Sequence, residues 1–267
     1  MTVAAGRVSI PPALLQVAEL ARRSVVRTLR QPAQIVPALI FPLFLLAVNS
    51  NGLADATHLP GFPTSSYLTF ALAVPFMQGG LFAALNAGTD LANDVESGFF
   101  NRLALTPLRG VALLAGMLGG AVALGIVQAI TFLAVGLIAG ADLAAGPGGV
   151  AVIFALSMTM SVGFGSLGAF VALRTGSGEA VQGMFPLFFV LLFLSSMALP
   201  RDLIQTDWFR QIATYNPVSY LIEGIRSLLV TGWDGEALAL GFAVAAGLVV
   251  VGLSAASLAL RTRLVRT

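Results

Sequence analysis

Residue types that carry much of protein chemistry are missing from this sequence. It contains no cysteine and no lysine, so it has no thiolate, no disulfide, no Schiff base and no phosphate-binding lysine of a P-loop. Its single histidine, His58, has one acidic residue nearby, far short of a three-ligand metal site, and no predicted span can supply the histidine of a Ser/His/Asp arrangement. We therefore expect a chain that is not an enzyme, binds no metal or cofactor of its own, and cannot hydrolyse ATP alone.

Charge is also scarce. Charged residues make up 10% of the chain and hydrophobic residues 57%, whereas a typical soluble domain is about 25% charged. So few charges cannot cover a globular core with a hydrated surface, which indicates an integral membrane protein. The apolar stretches are continuous rather than alternating, and this favours helices over a β-barrel.

Six apolar stretches are long enough to cross a bilayer, which takes roughly 20 helical residues. They predict transmembrane helices at residues 34–53, 66–90, 110–138, 149–173, 180–199 and 238–260. We expect an all-α membrane protein with one six-helix domain at 34–260, a preceding segment at 1–33 and a tail at 261–267. A cleaved signal peptide is the competing interpretation of the first stretch, but that stretch starts late and exceeds the usual apolar length of about 7–15 residues.

The arginines predict the orientation, because basic residues accumulate in short cytoplasmic loops. With the N-terminus inside, eleven of the fourteen arginines fall in cytoplasmic segments. The outer segments hold Arg201, Arg210 and Arg226, all in one long loop. This distribution predicts a multi-pass protein of the cell membrane with both termini in the cytoplasm.

Two sets of glycines within the spans resemble known motifs. Gly163, Gly165 and Gly168 match the GxGxxG pattern of dinucleotide sites, but they lie inside a predicted span rather than between a strand and a helix. Gly116 and Gly120 have GxxxG spacing. We interpret both sets as points of close helix packing.

The segment before the first span predicts an amphipathic helix at about residues 12–30. One face carries Leu14, Val17, Ala18, Ala21, Val25 and Leu29, the opposite face carries Gln16, Glu19, Arg23, Arg27 and Arg30, and Leu20 and Val26 depart from the pattern. A basic amphipathic helix beside a span is expected to lie along the cytoplasmic membrane surface. It can serve as a topology anchor or as a lever toward a cytoplasmic partner, and both interpretations stay open.

A compact polar segment, NDVESGFFNRLALTPLRG at residues 93–110, separates the second and third spans. Asn93 or Asp94 can cap a short helix at about 94–105. Thr106 precedes Pro107, and this pair favours the end of one helix and the start of the next. Asp90, just before the segment, is expected to face water.

The short helix predicted in this segment has features of a docking element. Its apolar strip consists of Val95, Phe99 and Leu103. The strip can pack into a groove of a partner while the charges of Glu96, Arg102 and Arg109 orient it. A solvated loop between two spans is the alternative.

A second motif, YNPVSYLIEGIRSLL, precedes the last span. Asn216 and Pro217 are suited to the cap and first position of a helix, and its apolar face carries Val218, Leu221, Ile222, Ile225 and Leu229. This helix is too short to span and is expected to lie at the outer leaflet or to re-enter the membrane from the outside, within an outer re-entrant segment at about 200–232. Glu223 and Arg226 are three residues apart and are expected to pair.

The sequence ESGFFNRLALTPLRG after span two, together with YNPVSYLIEGIRSLL before span six, resembles the permease subunits of the ABC type-2 export superfamily, in particular its daunorubicin-exporter branch. The resemblance extends over nearly the whole chain. It implies that a second permease subunit, identical or different, completes the pathway within membrane lipid. It also implies two separate nucleotide-binding subunits, which hold ATP and Mg and hydrolyse ATP. Nucleic acid is not expected as a partner.

The resemblance also assigns roles to residues. The segment after span two corresponds to a coupling helix on the ATPase, a role that falls on Asp94, Glu96, Gly98, Phe99, Arg102, Leu103, Pro107 and Arg109. The amphipathic helix corresponds to a connecting helix with Arg22, Arg23, Arg27 and Arg30. The outer helix corresponds to a gate formed by Asn216, Pro217, Tyr220, Glu223 and Arg226, with a purely structural hairpin as the alternative.

The spans hold no charged group near mid-depth, which argues against a proton-coupled transporter. Amphipathic or lipid-like cargo suits a lining of Phe, Met and small polar residues. The candidate lining residues are Phe70, Phe76, Met77, Met158, Met160, Met184, Phe188 and Phe189, although such side chains also pack helices. We expect the permease subunit of a drug-efflux exporter. Export of a polysaccharide or lipid-linked polymer, and more distantly a small channel or an intramembrane enzyme, are the alternatives.

Overall fold

The computed structural model describes residues 12–98 and 110–264, and these ranges contain helices and turns but no strand. The helices are α1 (Pro12–Leu29), α2 (Pro32–Gly52), α3 (Tyr67–Ala71), α4 (Ala73–Glu96), α5 (Gly110–Met117), α6 (Gly119–Ile138), α7 (Gly146–Thr175), α8 (Gly178–Gln182), α9 (Met184–Phe193), α10 (Asp207–Tyr215), α11 (Pro217–Val230) and α12 (Gly235–Leu264). Short 3-10 turns lie at Ala54–His58 and Arg201–Leu203. The prediction of an all-α membrane protein is confirmed.

The helices form one bundle with α4 at its centre, where it packs against α2, α6, α7, α8 and α11. In the most apolar part of the α3–α4 segment, 83% of the residues are buried, against 17% in α2 and in α12, which lie at the periphery. We call the end of the bundle that contains α1 and the C-terminus of α4 the α1 end. The opposite end, which contains α10 and α11, is called the α11 end.

Within the described ranges, five helical segments are long and apolar enough to cross a membrane. They are Pro32–Gly52, Tyr67–Glu96, Leu114–Ile138, Gly146–Thr175 and Gly235–Arg263. They agree with five of the six predicted spans to within about six residues at each end. The remaining prediction, 180–199, is wrong at its C-terminal side, because the apolar helix ends at Phe193 and residues 194–199 form turns.

Prolines explain two breaks inside these segments. Pro75 has no N–H to offer the carbonyl of Ala71, and the α3–α4 segment is interrupted at Leu72. Pro186 likewise leaves the carbonyl of Gln182 without its helical donor, next to the junction of α8 and α9. Both breaks leave backbone carbonyl groups that must find other donors.

The glycines of the GxGxxG pattern pack helices, as predicted. A Cβ atom at Gly168 would overlap the carbonyl oxygen of Ala84 in α4, at a separation well under 3.0 Å. A Cβ atom at Gly165 would lie 3.1 Å from a side chain of α6, and one at Gly163 would lie 3.0 Å from a side chain of α12. Three glycines on one turn and a half of α7 therefore allow it to contact three other helices closely.

Candidate functional site

Helix α1 is docked against the bundle through small residues of α5 and α6. A Cβ atom at Gly116 would overlap Leu20 of α1. The Ser24 hydroxyl donates to the carbonyl of Met117 at 2.8 Å and accepts from the N–H of Gly120 at 3.0 Å. The close packing predicted for the GxxxG pair is thus confirmed, and its partner is α1. Leu20, which departs from the apolar face on a helical wheel, lies on the face of α1 that packs against the rest of the bundle.

Four charged side chains join α1 to the end of α4. Arg23 donates to both carboxylate oxygens of Asp94, at 3.1 and 3.0 Å, and Arg27 donates to the same carboxylate at 2.8 Å. Arg27 also lies 3.1 Å from the carboxylate of Asp90, which accepts a 3.3 Å hydrogen bond from Gln31. The carboxylate side chains are 8% exposed at Asp94 and 14% exposed at Asp90. We call these four charged residues the α1–α4 ion cluster.

The ion cluster corrects three sequence predictions. Asn93 and Asp94 do not cap a new helix, because α4 continues through them to Glu96, with Ser97 as its C-cap. Asp94 faces α1 instead of an exposed docking surface. Asp90 likewise faces Arg27 rather than open water. Periodicity alone could not locate these carboxylates, since their partners lie 59 to 71 residues earlier in the chain.

The predicted coupling segment is described only at its start. Glu96 is exposed, and Gly98 has a φ of +68°, a left-handed conformation that glycine adopts without strain. Val95 packs against the chain's own buried cluster rather than a free docking strip. Phe99, Arg102, Leu103, Thr106, Pro107 and Arg109 lie outside the described residues. Within α1, Arg22 and Arg30 are exposed while Arg23 and Arg27 face α4.

At the other end of the bundle, α11 begins as predicted. The Asn216 side chain accepts from the N–H of Val218 at 2.9 Å, and Pro217 occupies the first helical position. The amide of Asn216 also donates to the carbonyls of Leu191 and Leu194, at 2.6 and 3.1 Å. The predicted apolar face of α11 is buried. Asn216 thus caps α11 and also satisfies the last carbonyls of α9.

Arg226 is the most enclosed charged group of this region. It is 6% exposed, and its guanidinium donates to three backbone carbonyls, those of Phe70 at 3.1 Å, Ser196 at 2.9 Å and Met197 at 3.1 Å. It also lies 3.6 Å from the centre of the Phe70 ring, in cation–π geometry. Arg226 therefore ties α11 to the break after α3 and to the turns after α9. These contacts explain why the apolar segment Gly178–Phe193 is followed by turns instead of continuing as a helix.

Glu223 pairs with Arg201, not with Arg226, so the predicted pair within α11 is wrong. Its carboxylate accepts from Arg201 and, at 2.7 Å, from the hydroxyl of Ser196. The reason is that Arg226 points into the bundle, toward free carbonyls, whereas Glu223 faces the 3-10 turn. Burial is the largest influence and lowers the pKa of Arg201, but the negative charge of Glu223 and the hydrogen bonds with Tyr220 and Glu223 together outweigh it and raise that pKa. Tyr220 lies beneath the Arg201 guanidinium at 4.6 Å.

Two cavities, of 270 and 360 Å³, lie beside this ion pair. Both have Pro63, Arg201, Glu223 and Arg226 in their walls. Both tryptophans of the chain are at the same end, at positions 208 and 233, and each is 61% exposed. Exposed aromatic side chains beside polar cavities are typical of a membrane–water interface.

A groove of 440 Å³ opens on the side of the bundle between α2, α4 and the α8–α9 segment, toward the α1 end. Its walls include the phenyl rings of Phe82 and Phe185 and the polar side chains of Asn86, Thr89 and Gln182. The rings of Phe41, Phe82, Phe185 and Phe189 contact one another with centroid separations from 4.5 to 6.4 Å. The groove therefore combines apolar area with a few polar groups.

The predicted lining residues fall into two groups. Phe70, Phe76, Met77, Met160 and Phe188 are buried in the core. Met158, Met184 and Phe189 are partly exposed. The first group is covered by the chain's own helices, which corrects the expectation that these side chains face an open path. Phe189 contacts the aromatic rings beside the groove.

Residues 15–230 match the protein family described as ABC-2 type transporter. This chain belongs to the ABC-2 type transporter family. The ABC-2 permease is 29% identical over 230 residues to the daunorubicin resistance ABC transporter permease protein DrrB1 of Streptomyces coeruleorubidus, covering 82% of this chain and 77% of that protein. The resemblance to the daunorubicin-exporter branch is confirmed.

Proteins named as ycf38 transport permeases are also similar to this ABC-2 permease. The Porphyra purpurea protein is 28% identical over 222 residues, covering 82% of this chain and 76% of its own length. The Pyropia yezoensis protein is 30% identical over 219 residues, covering 80% and 73%. The chain is thus a multi-pass transport permease, and membership of an ABC transporter family implies a nucleotide-binding partner.

Proposed function

We propose that this permease is the membrane subunit of an ATP-driven exporter of amphipathic or lipid-like compounds. The observation that carries the cargo class is the groove between α2, α4 and the α8–α9 segment, which places phenyl rings beside amide and hydroxyl groups. None of the described residues that line it is charged. Such a surface offers apolar contact and a few polar anchors, which suits a neutral or weakly charged amphiphile.

In this proposal the α1 end faces the cytoplasm, as the arginine distribution predicts. Two permease subunits, identical or different, form the pathway, and two nucleotide-binding subunits hold ATP and Mg beneath them. Cargo enters the groove from the cytoplasm or the inner leaflet and leaves at the α11 end. The daunorubicin resistance in the name of one relative supports drug efflux as the biological role.

The proposed contact with the ATPase starts at the end of α4, where Glu96 is exposed. The segment from Gly98 to Arg109 would form the rest of the docking surface, and the exposed Arg22 and Arg30 of α1 would flank it. At the α11 end, the Arg201–Glu223 pair and the Arg226 contacts would close the exit until ATP binding brings the nucleotide-binding subunits together.

Glu96→Arg is expected to lower cargo-stimulated ATPase activity by about fivefold or more, since reversing a charge in a docking contact costs about 1 kcal/mol or more. The measurement is ATPase activity in lipid nanodiscs of the permease co-purified with its ATPase. Asp55→Arg is the matched control, because Asp55 is an exposed carboxylate at the α11 end. Equal activity of both variants, or no co-purifying ATPase, would contradict the proposed function.

Asn86→Leu is expected to weaken stimulation by an amphipathic drug in the same assay. The substitution removes the buried amide from the groove but keeps the side-chain size, and a lost hydrogen bond of about 0.5–1.5 kcal/mol corresponds to roughly two- to tenfold in the concentration for half-maximal stimulation. Leu258→Ala, at an exposed position of α12, is the control. An unchanged concentration dependence for Asn86→Leu would remove the groove as the cargo site.

A further inference from the structure

We propose that Asp90 and Asp94 are positioning residues, which hold α1 against the C-terminal end of α4 as a lock, so that these two helices move as one unit. The coupling part of this inference rests on the proposed function, whereas the lock itself is a property of this chain alone. No sequence pattern assigns either carboxylate this role. It follows from the way that α1 meets α4 on one side and α5 and α6 on the other.

The spacing of the charges on the two helices is matched. Arg23 and Arg27 are four residues apart on α1, and Asp90 and Asp94 are four residues apart on α4, so each pair lies on one face of its helix. Arg27 contacts both carboxylates, at 2.8 and 3.1 Å, and Arg23 contacts Asp94 with two hydrogen bonds. Pairing at two successive turns fixes the register of α1 along α4.

Asp90 and Asp94 need the arginines of α1 as charge partners because of where they lie in α4. Asp94 lies in the last turn of α4, where the partial negative charge of a helix C-terminus disfavours an acidic side chain, and Asp90 lies one turn before it. They are also close enough to repel each other and are largely buried. A buried carboxylate without a partner is strongly unfavourable, so the arginines of α1 compensate a charge arrangement that α4 alone does not support.

Contacts on a second side of α1 complete the lock. Ser24 bonds to Met117 and Gly120, and Thr28 packs where a Cβ atom at Gly120 would otherwise lie. Helix α1 is therefore held between α4 on one side and α5–α6 on the other. It cannot follow a partner independently of α4 without separating the charges of Arg23 and Arg27 from their carboxylates.

The lock can be tested on the chain alone in lipid nanodiscs by limited digestion with trypsin. Because the chain has no lysine, trypsin can cut α1 only after its arginines. We expect the double variant with Asp90→Asn and Asp94→Asn to be cut within α1 about tenfold faster or more, because cleavage reports local opening. The single variant Asp94→Glu keeps the charge and should be cut no faster than wild type. Glu179→Gln, which removes an exposed carboxylate at the same end, should also be cut at the wild-type rate. Equal cleavage rates in all variants would overturn the lock.

The coupling part is tested by the number of cargo molecules moved per ATP hydrolysed. Asp94→Asn is expected to lower this ratio about fivefold or more while the ATPase stays bound. A purely structural role would lower the amount of folded complex and leave the ratio unchanged, which would overturn the inference. If no ATPase co-purifies with wild type, the proposed function and the coupling part fail together, and digestion still decides on the lock.

Discussion

Replacing Arg226 by methionine is expected to destabilise the α11 end of this permease more than any other single loss of charge among the described residues. Methionine keeps much of the volume but leaves three backbone carbonyls, of Phe70, Ser196 and Met197, without their donor. Each buried acceptor left unpaired costs about 1–3 kcal/mol. We expect a large fall in the thermal unfolding temperature in nanodiscs, and release of the turns after α9.

The matched control for this variant is Arg210→Met. Arg210 is an exposed arginine of α10 that pairs with Asp207 three residues away, an arrangement that contributes about 0.2–0.5 kcal/mol. Arg226→Lys should fall between the two, because an ammonium keeps the charge but lacks the planar, forked arrangement of donors. If Arg226→Met and Arg210→Met unfold at the same temperature, the guanidinium is not what joins α11 to α3 and to the turns after α9.

The second large effect is expected at Gly168. In Gly168→Ala the added Cβ atom would meet the backbone carbonyl of Ala84, which unlike a side chain cannot rotate away. Helices α4 and α7 would have to separate along their contact, and overpacking of this kind costs typically about 1–3 kcal/mol, with backbone displacement at the upper end. Reduced yield of folded protein and a lower unfolding temperature would record the effect.

Gly247→Ala tests whether that loss comes from packing rather than from the glycine as such. Gly247 also lies in a long helix, α12, but a Cβ atom there would have nothing within 4 Å. Alanine is favoured over glycine in a helix by about 0.5–1 kcal/mol. The two substitutions should therefore change stability in opposite directions, and a similar small gain at Gly168 would contradict the close contact of α4 and α7.

Hydrophobicity alone located the spans well, because a stretch of about 20 apolar residues has few other stable structures available. It placed the end of α9 wrongly, because that end depends on two residues much later in the chain. Asn216 donates to the carbonyls of Leu191 and Leu194, and Arg226 donates to those of Ser196 and Met197 in the turns that follow α9. Local pairing rules also favoured Glu223 as the partner of Arg226. In the folded chain, Arg226 instead donates to three backbone carbonyls.

The candidate sites were predicted less completely than the helices. The motifs identified the segments after span two and before span six. They could not predict the partner of Asp94, because that partner, Arg23 of α1, precedes it by about 70 residues. The groove was missed because α2, α4 and the α8–α9 segment each contribute only part of its wall. Asn86 and Thr89, two polar residues three apart in an apolar span, were the one local signal for it.

The positions of the two tryptophans make this permease a selective spectroscopic reporter. Trp208 and Trp233 are the only indole groups in the chain, and both are exposed at the α11 end. Intrinsic emission and its quenching by brominated lipids therefore follow solvent and lipid exposure at that end without any label. A second signal, from a dye on a single cysteine placed in the naturally thiol-free background at the α1 end, would show in which order the two ends respond to ATP.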